Sequence, residues 1–135
     1  MSQSSKSKLK LGRGSKPVVY LVDDEKMLLD LAELALKDNG YVLKKFHNPA
    51  TALKAFLRAK TKPALLITDY AMSKMNGMEL IEKCKQTHPG LKSILISGTA
   101  GAEIILSSAV KVDRFLGKPY QTASLAEMVR SLLRS

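Results

Sequence analysis

The sequence predicts an α/β domain with an open, doubly wound sheet of five parallel strands. Short apolar segments alternate with amphipathic ones five times along the 135 residues. Two of the apolar segments, ALLIT and SILI, contain almost no polar residue, which is typical of strands buried on both faces. Helices between successive strands form right-handed crossovers, and such crossovers join strands that run parallel.

Five strands are predicted where runs of aliphatic, β-branched or aromatic residues occur. In chain order they are residues 18–22 (VVYLV), 41–46, 64–68, 93–96 and 114–116. The third run is almost wholly apolar, and we interpret it as the central, buried strand of the sheet.

The first two predicted helices lie between the first and third strands. From Leu28, apolar residues recur at helical spacing, and Asn39-Gly40 marks the end of this helix. Pro49 opens the second helix, because proline is well tolerated at the first helical position. This helix should end by Lys62-Pro63, since the residue before a proline disfavours helical geometry.

Three further helices are predicted in the second half of the chain. One follows Gly77 and ends at His88-Pro89-Gly90, and the next covers residues 102–110. The last helix carries apolar residues at the i, i+3, i+4, i+7 and i+8 positions, beginning with Leu125 and ending with Leu133. Each strand is therefore followed by a helix.

Composition and charge divide the chain into two parts. Residues 1–16 carry five cations and no acid, and they contain almost no apolar residue, so we expect a disordered basic tail. Residues 17–135 are long enough for one folded domain. Because no apolar run approaches the ~20 residues of a membrane helix, and no secretory signal is present, we expect a cytoplasmic protein with no membrane partner.

Polar residues follow four of the five predicted strands. Asp23 and Asp24 follow the first strand, Asp69 the third, Ser97 the fourth and Lys118 the fifth. Because ligands of an open doubly wound sheet bind outside the carboxyl ends of its strands, we expect these residues to meet at one edge. Alone, paired acids after a strand indicate a helix N-terminus, and a lysine before proline indicates a solvated loop. Their joint placement favours a functional site.

The chemistry of this set points to a magnesium-assisted phosphoryl acceptor. Mg²⁺ prefers oxygen ligands and would offset the repulsion between Asp23, Asp24 and Asp69. Asp69 could act as a nucleophile and form an acyl phosphate. Ser97 could donate a hydrogen bond to a phosphoryl oxygen, and Lys118 would add a positive charge.

Four motifs carry a family resemblance: VYLVDDE, LLITDYAMSKMNGMEL, ILISG and FLGKPY. With them, the chain from about Val18 to Leu133 resembles the receiver domain of two-component response regulators, of the chemotaxis-regulator-like kind. The resemblance implies a flavodoxin-like (βα)₅ sheet in the order 2-1-3-4-5. It also implies that Asp69 accepts a phosphoryl group from a phosphohistidine of a sensor kinase or phosphotransfer protein, as in a phosphorelay.

The resemblance further implies the roles of the residues around Asp69. Asp24, Asp69 and the backbone carbonyl of Ala71 would hold Mg²⁺, with Asp23 helping through water. Lys118 would be the lysine that the family carries at this position, and a cis peptide bond would join it to Pro119. Ser97 would be the switch hydroxyl, and Phe115 would be the aromatic residue that changes packing when Ser97 moves.

A signal would leave through the face formed by the fourth predicted helix, the fifth strand and the fifth predicted helix. The candidate residues of this output face are Ile104, Ile105, Lys111, Phe115 and Tyr120. The downstream partner is unknown, and a homodimer is left open. The family commonly has proline where this chain has Ser73, so we expect a more mobile loop there. Ala71 and Thr99 lie where the family tunes hydrolysis of the phosphoryl group, and their effect cannot be read from the sequence.

Several other functions compete with this interpretation. We expect a single-domain response regulator that catalyses only its own phosphorylation and dephosphorylation, and the alternative is a receiver cut from a hybrid histidine kinase. A phosphohydrolase of the haloacid dehalogenase type also uses an aspartate with Mg²⁺, but its second aspartate would fall at Ala71. A nucleic-acid binding protein is disfavoured, because no aromatic residue lies among the cations of the tail.

Overall fold

The structure is a computed structural model that describes residues 16–98 and 111–134. The elements in chain order are β1 (Val18–Val22), α1 (Lys26–Leu36), β2 (Val42–Phe46), α2 (Pro49–Arg58), β3 (Leu65–Asp69), α3 (Gly77–Thr87), β4 (Lys92–Ser97), β5 (Arg114–Gly117) and α4 (Thr122–Arg134). The fourth predicted helix, residues 102–110, lies outside the described residues, so α4 is the fifth predicted helix. The predicted basic tail lies outside them as well, except for Lys16.

The five strands form one parallel sheet in the order β2-β1-β3-β4-β5, which confirms the predicted fold class and strand order. The central strand β3 is buried at every residue, as its apolar sequence predicts. The strand register pairs Asp69 with Ile96 and Ser97 with Gly117. The last residues of β3, β4 and β5 therefore lie side by side at the carboxyl edge of the sheet.

Each face of the sheet packs against its own pair of helices. One core is formed with α1 and α4, and its buried residues include Leu21, Leu29, Ile67, Ile94 and Val129. The other core is formed with α2 and α3, and its buried residues include Tyr20, Phe56, Leu66, Ile81 and Cys84. Fully burying a large apolar side chain stabilises a fold by about 1.5–3 kcal/mol. Cys84 is 1% exposed and belongs to this core.

Local hydrogen bonds explain where the helices begin. Asn48 accepts from the backbone N–H groups of Ala50 and Thr51 and thereby caps α2 ahead of Pro49. Asn76 and Glu79 form a capping box at α3, in which each side chain accepts from the backbone N–H of the other at 2.8 Å. These caps fix both helices close to their predicted starts.

Several element boundaries differ from the predicted ones by a few residues. α1 begins at Lys26 rather than Leu28. The prediction started at the first residue of the apolar spacing, but the first residues of a helix need not belong to that spacing. α2 ends at Arg58, before the predicted limit, where the Lys62 ammonium donates to the Phe56 carbonyl at 2.6 Å. β3 includes Asp69, whereas the prediction ended the strand at residue 68. No described helix is both long and apolar enough to cross a membrane.

Candidate functional site

The carboxyl edge of the sheet brings three predicted aspartates together. One carboxylate oxygen from each of Asp23, Asp24 and Asp69 lies within 4.8 Å of the other two. Asp23 and Asp69 are buried, whereas Asp24 is exposed. β1 places the first two residues and β3 the third, because these strands are neighbours in the sheet. The cluster thus has two buried members and one that faces solvent.

Lys118 supplies the positive charge of this cluster. Its Nζ lies 2.7 Å from Asp69 Oδ1, and the two side chains are 25% and 4% exposed. The Lys118 backbone N–H donates to the Ser97 carbonyl at 2.8 Å, which fixes the start of the loop after β5. The Lys118-Pro119 peptide bond is cis, as the family resemblance implies. Lys118 and Asp69 therefore form an ion pair at the carboxyl edge of the sheet.

Asp23 has an altered protonation equilibrium. Burial raises its pKa to about 6, and the nearby charges of Asp69 and Asp24 act in the same direction. A hydrogen bond from the Glu25 backbone N–H, at 2.9 Å, and the charge of Lys118 oppose this rise. Without a further cation, Asp23 therefore ionises less readily than an ordinary aspartate.

The charges of the site do not balance. Among residues 16–98 and 111–134, three carboxylates of the site face one ammonium group, and that group pairs with Asp69. At such separations and an effective dielectric constant of about 20, two ionised carboxylates repel by about 3 kcal/mol. A divalent cation bound by hard oxygen donors would remove this repulsion. The donor set therefore fits Mg²⁺, and the exposed Asp24 leaves one side of the cluster open to water.

Ser97 and Phe115 lie on adjacent strands at the same edge. Ser97 is buried at the end of β4, and Phe115 is half-buried on β5. Since paired residues of parallel strands point to the same face, the pairs Leu95–Phe115 and Ser97–Gly117 place both side chains on one face of the sheet. A Cβ at Gly117, the residue that pairs with Ser97, would lie 3.9 Å from Phe115 Cε2, which is an ordinary van der Waals contact.

The loop after β3 contains a feature that sequence reasoning missed. Gly77 begins α3, and a Cβ at this position would overlap the Asp69 carbonyl oxygen and lie 2.9 Å from Leu95 Cδ1. The Gly77 N–H donates to the Tyr70 carbonyl at 2.9 Å. Glycine is therefore needed for α3 to approach the backbone of Asp69. The Asn-Gly pair ahead of an amphipathic run was the available signal, but sequence reasoning used Gly77 only to mark the start of this helix.

The other predicted residues have varied positions. Ala71 is exposed, two residues beyond Asp69, and Ser73 donates its N–H toward Asp24 at 3.4 Å. Of the predicted output face, Lys111 is exposed, whereas Phe115 and Tyr120 are half-buried. Ile104, Ile105 and Thr99 lie outside the described residues.

Tyr120 packs against the α1–α4 core. Its burial and the charges of Asp23 and Asp69 raise the pKa of its hydroxyl, so its electrostatic environment includes the site.

The fold and the site together define a signalling domain of the parallel α/β class, with an acidic pocket and a lysine at the carboxyl edge. Residues 19–130 match the family described as the response regulator receiver domain. The chain therefore belongs to the receiver-domain family of response regulators, as the sequence motifs predict. Domains of this family act in two-component signalling and are generally not enzymes.

Relatives within the family include proteins of different architecture. The response regulator receiver protein CpdR of Brucella abortus (strain 2308) is 29% identical over 85% of this chain and 95% of its own length. The probable transcriptional regulatory protein TcrX of Mycobacterium tuberculosis (strain ATCC 25618 / H37Rv) is 25% identical over 90% of this chain and 51% of its own length. This chain spans only 12% of a further relative, the sensor kinase CckA of Brucella abortus (strain 2308), at 29% identity over 85% of this chain.

Solved structures agree with this assignment. A CheY-like response regulator receiver domain protein from Methanospirillum hungatei JF-1 superimposes with a TM-score of 0.79. The two chains are 26% identical, and the alignment covers 89% of this chain and 95% of that one. The curated relatives and the solved structures thus share one domain, and they differ in how much chain surrounds it.

Proposed function

We propose that this chain is a phosphorylation-controlled signalling receiver in which Asp69 is the phosphoacceptor. The observation that carries the proposal is the buried Asp69 carboxylate, held at a strand end by Lys118 and beside two further carboxylates. An Asp69 oxygen would attack the phosphorus of a phosphohistidine, and the phosphorus–nitrogen bond would break. The histidine would leave with its electron pair and take up a proton, and Asp69 would become an acyl phosphate.

The residues around Asp69 would divide the remaining work. Asp24, Asp69 and the Ala71 carbonyl would hold Mg²⁺, with Asp23 acting through water. When bound, Mg²⁺ supplies positive charge that stabilises the transferring phosphoryl group. Lys118 would exchange its present pairing with Asp69 for a phosphoryl oxygen, which its point charge and three donors suit. Loss of the phosphoryl group to water would return Asp69 to its carboxylate form.

Ser97 and Phe115 would turn phosphorylation into a change of packing. Ser97 would donate its hydroxyl hydrogen to a phosphoryl oxygen and leave space on its face of the sheet. Phe115 would then move toward this space, since both side chains lie on the same face and Gly117, which pairs with Ser97, has no side chain there. The two packings would form one population equilibrium that the phosphoryl group shifts. The output face predicted from residues 104, 105, 111, 115 and 120 would carry the signal onward.

The phosphodonor would be a sensor histidine kinase or a phosphotransfer protein in the cytoplasm. A mostly apolar cavity of about 300 Å³ adjoins the site and is lined by Leu28 and Leu31 of α1 and by residues 118–120. Met27, at the start of α1, is 81% exposed. Apolar surface next to the acceptor lysine would let a donor dock with its phosphohistidine close to Asp69.

The chain would act as a single-domain response regulator or as the receiver of a hybrid kinase. The likeness to CpdR favours the first, since the match covers 95% of that protein, and the likeness to CckA keeps the second as the alternative. A phosphohydrolase is disfavoured, because Ala71 stands where that class needs a second aspartate. The downstream protein and a homodimer stay open.

Incubation with acetyl phosphate and Mg²⁺, followed by intact-mass measurement, tests the proposal. The parent chain should gain one phosphoryl group, and Asp69→Asn should gain none. Omission of Mg²⁺ should prevent the gain in the parent. An equal gain in Asp69→Asn, or no gain in the parent with any phosphodonor, would overturn the proposal.

A further inference from the structure

A second apolar recess lies between α2 and α3. We name it the α2–α3 groove; it is lined by Leu53, Leu57, Lys83, Gln86 and Thr87 and has a volume of about 290 Å³. Leu57 is 51% exposed, although it belongs to a helix whose opposite side is buried in the core. Leu57 and the three lining residues of α3 belong to the C-terminal halves of their helices, and Leu53 lies at the middle of α2. They therefore lie toward the amino edge of the sheet, away from Asp69.

The positive charge of the folded domain is concentrated beside this groove. Residues 49–62 carry four cations and no acid, whereas the rest of residues 17–135 carries thirteen cations and twelve acids. The four cations are Lys54, Arg58, Lys60 and Lys62. Among the described residues, the first three enter no ion pair and are exposed, so their charges face solvent. α3 adds two lysines and two glutamates and is neutral as a whole.

Lys62 has a different role from the other three cations. Its ammonium donates to the carbonyls of Phe56 and Leu57 at the end of α2, and it lies 4.9 Å from the centre of the Phe56 ring. These contacts hold the end of α2 in place through charge-assisted hydrogen bonds and a cation–π interaction. Leu57 and Arg58 are therefore presented on an anchored helix end rather than on a loose one.

Charge complementarity indicates which kind of molecule could bind in the α2–α3 groove. The basic tail of this chain would be repelled by residues 49–62, and a second copy would oppose two basic surfaces. A polyanion such as duplex DNA would pair with the cations but leave the apolar lining of the groove without a partner. An acidic polypeptide with an apolar side chain satisfies both the charge and the recess.

We propose that the α2–α3 groove binds an acidic segment of a partner protein, which inserts an apolar side chain against Leu53 and Leu57. Carboxylates of the segment lie among the exposed cations of residues 49–62 and beside Lys83. The apolar contact supplies most of the affinity, and the surrounding charges speed association and select acidic partners. This surface is separate from Asp69 and from the predicted output face, so the domain has a docking site that needs no phosphorylation.

The test uses the full ¹⁵N-labelled chain and a synthetic acidic peptide with two leucines four residues apart. Backbone amide shifts should move mainly in the second half of α2 and the second half of α3. A peptide with both leucines replaced by serine should bind at least tenfold more weakly, because the apolar contact is lost. Shifts confined to the Asp69 edge or to the tail, or equal binding of the serine peptide, would overturn the proposal.

Matched variants separate the groove from general surface effects. Leu57→Ser should weaken binding about tenfold, whereas Leu34→Ser, which changes a similarly exposed leucine on α1, should leave binding unchanged. Arg58→Glu combined with Lys60→Glu should weaken binding about tenfold at low salt, while Lys37→Glu should change it less than twofold. All four variants should accept a phosphoryl group as the parent does, which shows that they are folded. Equal losses in Leu57→Ser and Leu34→Ser would contradict the assignment.

Two competitors test the choice of partner class. Duplex DNA and vesicles with anionic lipid should displace the peptide only at concentrations at least tenfold above the peptide's own dissociation constant. Tighter binding of either competitor at α2 and α3 would replace the acidic-protein proposal with a nucleic-acid or membrane surface.

Discussion

Two clusters of charged side chains in this domain contain ion pairs of the same contact distance but differ in their balance of charge and in their burial. Lys118 approaches Asp69 at 2.7 Å, and Lys45 approaches Glu33 at the same distance. Lys45 also contacts Asp30, which pairs with Lys26 in turn. The surface cluster therefore has two ammonium groups for two carboxylates, whereas the site has one ammonium group for three. The surface cluster is complete in itself, and the site has an excess of negative charge.

Burial widens this difference. Asp69 is 4% exposed, whereas Asp30 and Glu33 are 46% and 42% exposed. A hydrogen bond from Lys26 lowers the pKa of Asp30, and a hydrogen bond to Glu33 raises the pKa of Lys45. Asp30 and Lys45 therefore both hold their charges more firmly. At the site, burial instead raises the pKa of Asp23. The comparison teaches that an unbalanced, buried cluster indicates a binding function, while a short distance alone does not.

The largest effect should come from removing the positive charge of the site. Lys118→Ala should slow phosphoryl transfer from acetyl phosphate by about 10²–10³-fold, because a charge that stabilises the transferring group is lost. It should also lower the free energy of unfolding by about 1–3 kcal/mol, since Asp69 stays buried without its partner and Lys118 itself is partly exposed. Stopped-flow kinetics and urea denaturation measure the two effects. A transfer rate within threefold of the parent would contradict the role of Lys118.

A steric change beside Asp69 should have the next largest effect. Gly77→Ala should lower the free energy of unfolding by about 2–3 kcal/mol, because its Cβ would overlap the Asp69 carbonyl oxygen and press on Leu95. Gly90→Ala is the matched control, since no atom lies within 4 Å of a Cβ at that position. Urea denaturation should show a loss for the first variant and a change within about 0.5 kcal/mol for the second. Equal midpoints for the two variants would show that α3 does not depend on this close approach.

A pH-dependent effect should follow from Asp23. Its pKa in the folded state, about 6, lies above its ordinary value of 3.8, so its ionisation opposes folding as the pH rises. This cost is absent below about pH 4 and complete above about pH 7. Asp23→Asn removes it, and the metal-free variant should exceed the parent in stability by about 1–3 kcal/mol at pH 7.5. Water reaches the exposed side of the cluster and reduces this cost.

Thermal denaturation between pH 4 and pH 8, in the presence of a chelator, measures this effect. The difference between Asp23→Asn and the parent should vanish near pH 4. Addition of Mg²⁺ at pH 7.5 should raise the melting temperature of the parent more than that of the variant. A stability difference that does not change with pH would show that Asp23 acts through packing rather than charge.

The smallest effect should come from the balanced surface cluster. Lys45→Ala should leave the urea midpoint and the phosphoryl-transfer rate within experimental error of the parent, because exposed ion pairs are screened by water and salt. The same measurement at low and at high salt should show little dependence on Lys45. A loss as large as that of Lys118→Ala would remove the distinction between the two clusters.

The sequence predicted the sheet well because every strand carries a continuous local signal. VVYLV and LLIT are apolar runs of strand length, and Pro49 marks a helix start that Asn48 caps by accepting hydrogen bonds within three residues. The rule that ligands bind outside the carboxyl ends of parallel strands was enough to place four site residues at one edge. These residues are Asp23, Asp24, Asp69 and Lys118. These features depend on neighbours in sequence or on the topology of one fold class.

Other features depend on distances that no local pattern contains. The need for Gly77 arises because the backbone of Asp69 passes close to the start of α3, and residues eight apart in sequence do not show this. The raised pKa of Asp23 follows mainly from its burial, and the charges of Asp69 and Asp24 add to it by smaller amounts. The α2–α3 groove combines side chains from two helices, so the exposure of Leu57 was visible only after the helices were packed.

The central claim is that Asp69 itself carries the phosphoryl group. After phosphorylation with acetyl phosphate and Mg²⁺, borohydride reduces an aspartyl acyl phosphate to homoserine, and peptide mass spectrometry then locates the changed residue. We predict homoserine at position 69 and at no other aspartate. Homoserine at position 23 or 24, or a borohydride-resistant phosphate on a serine or histidine, would contradict the account.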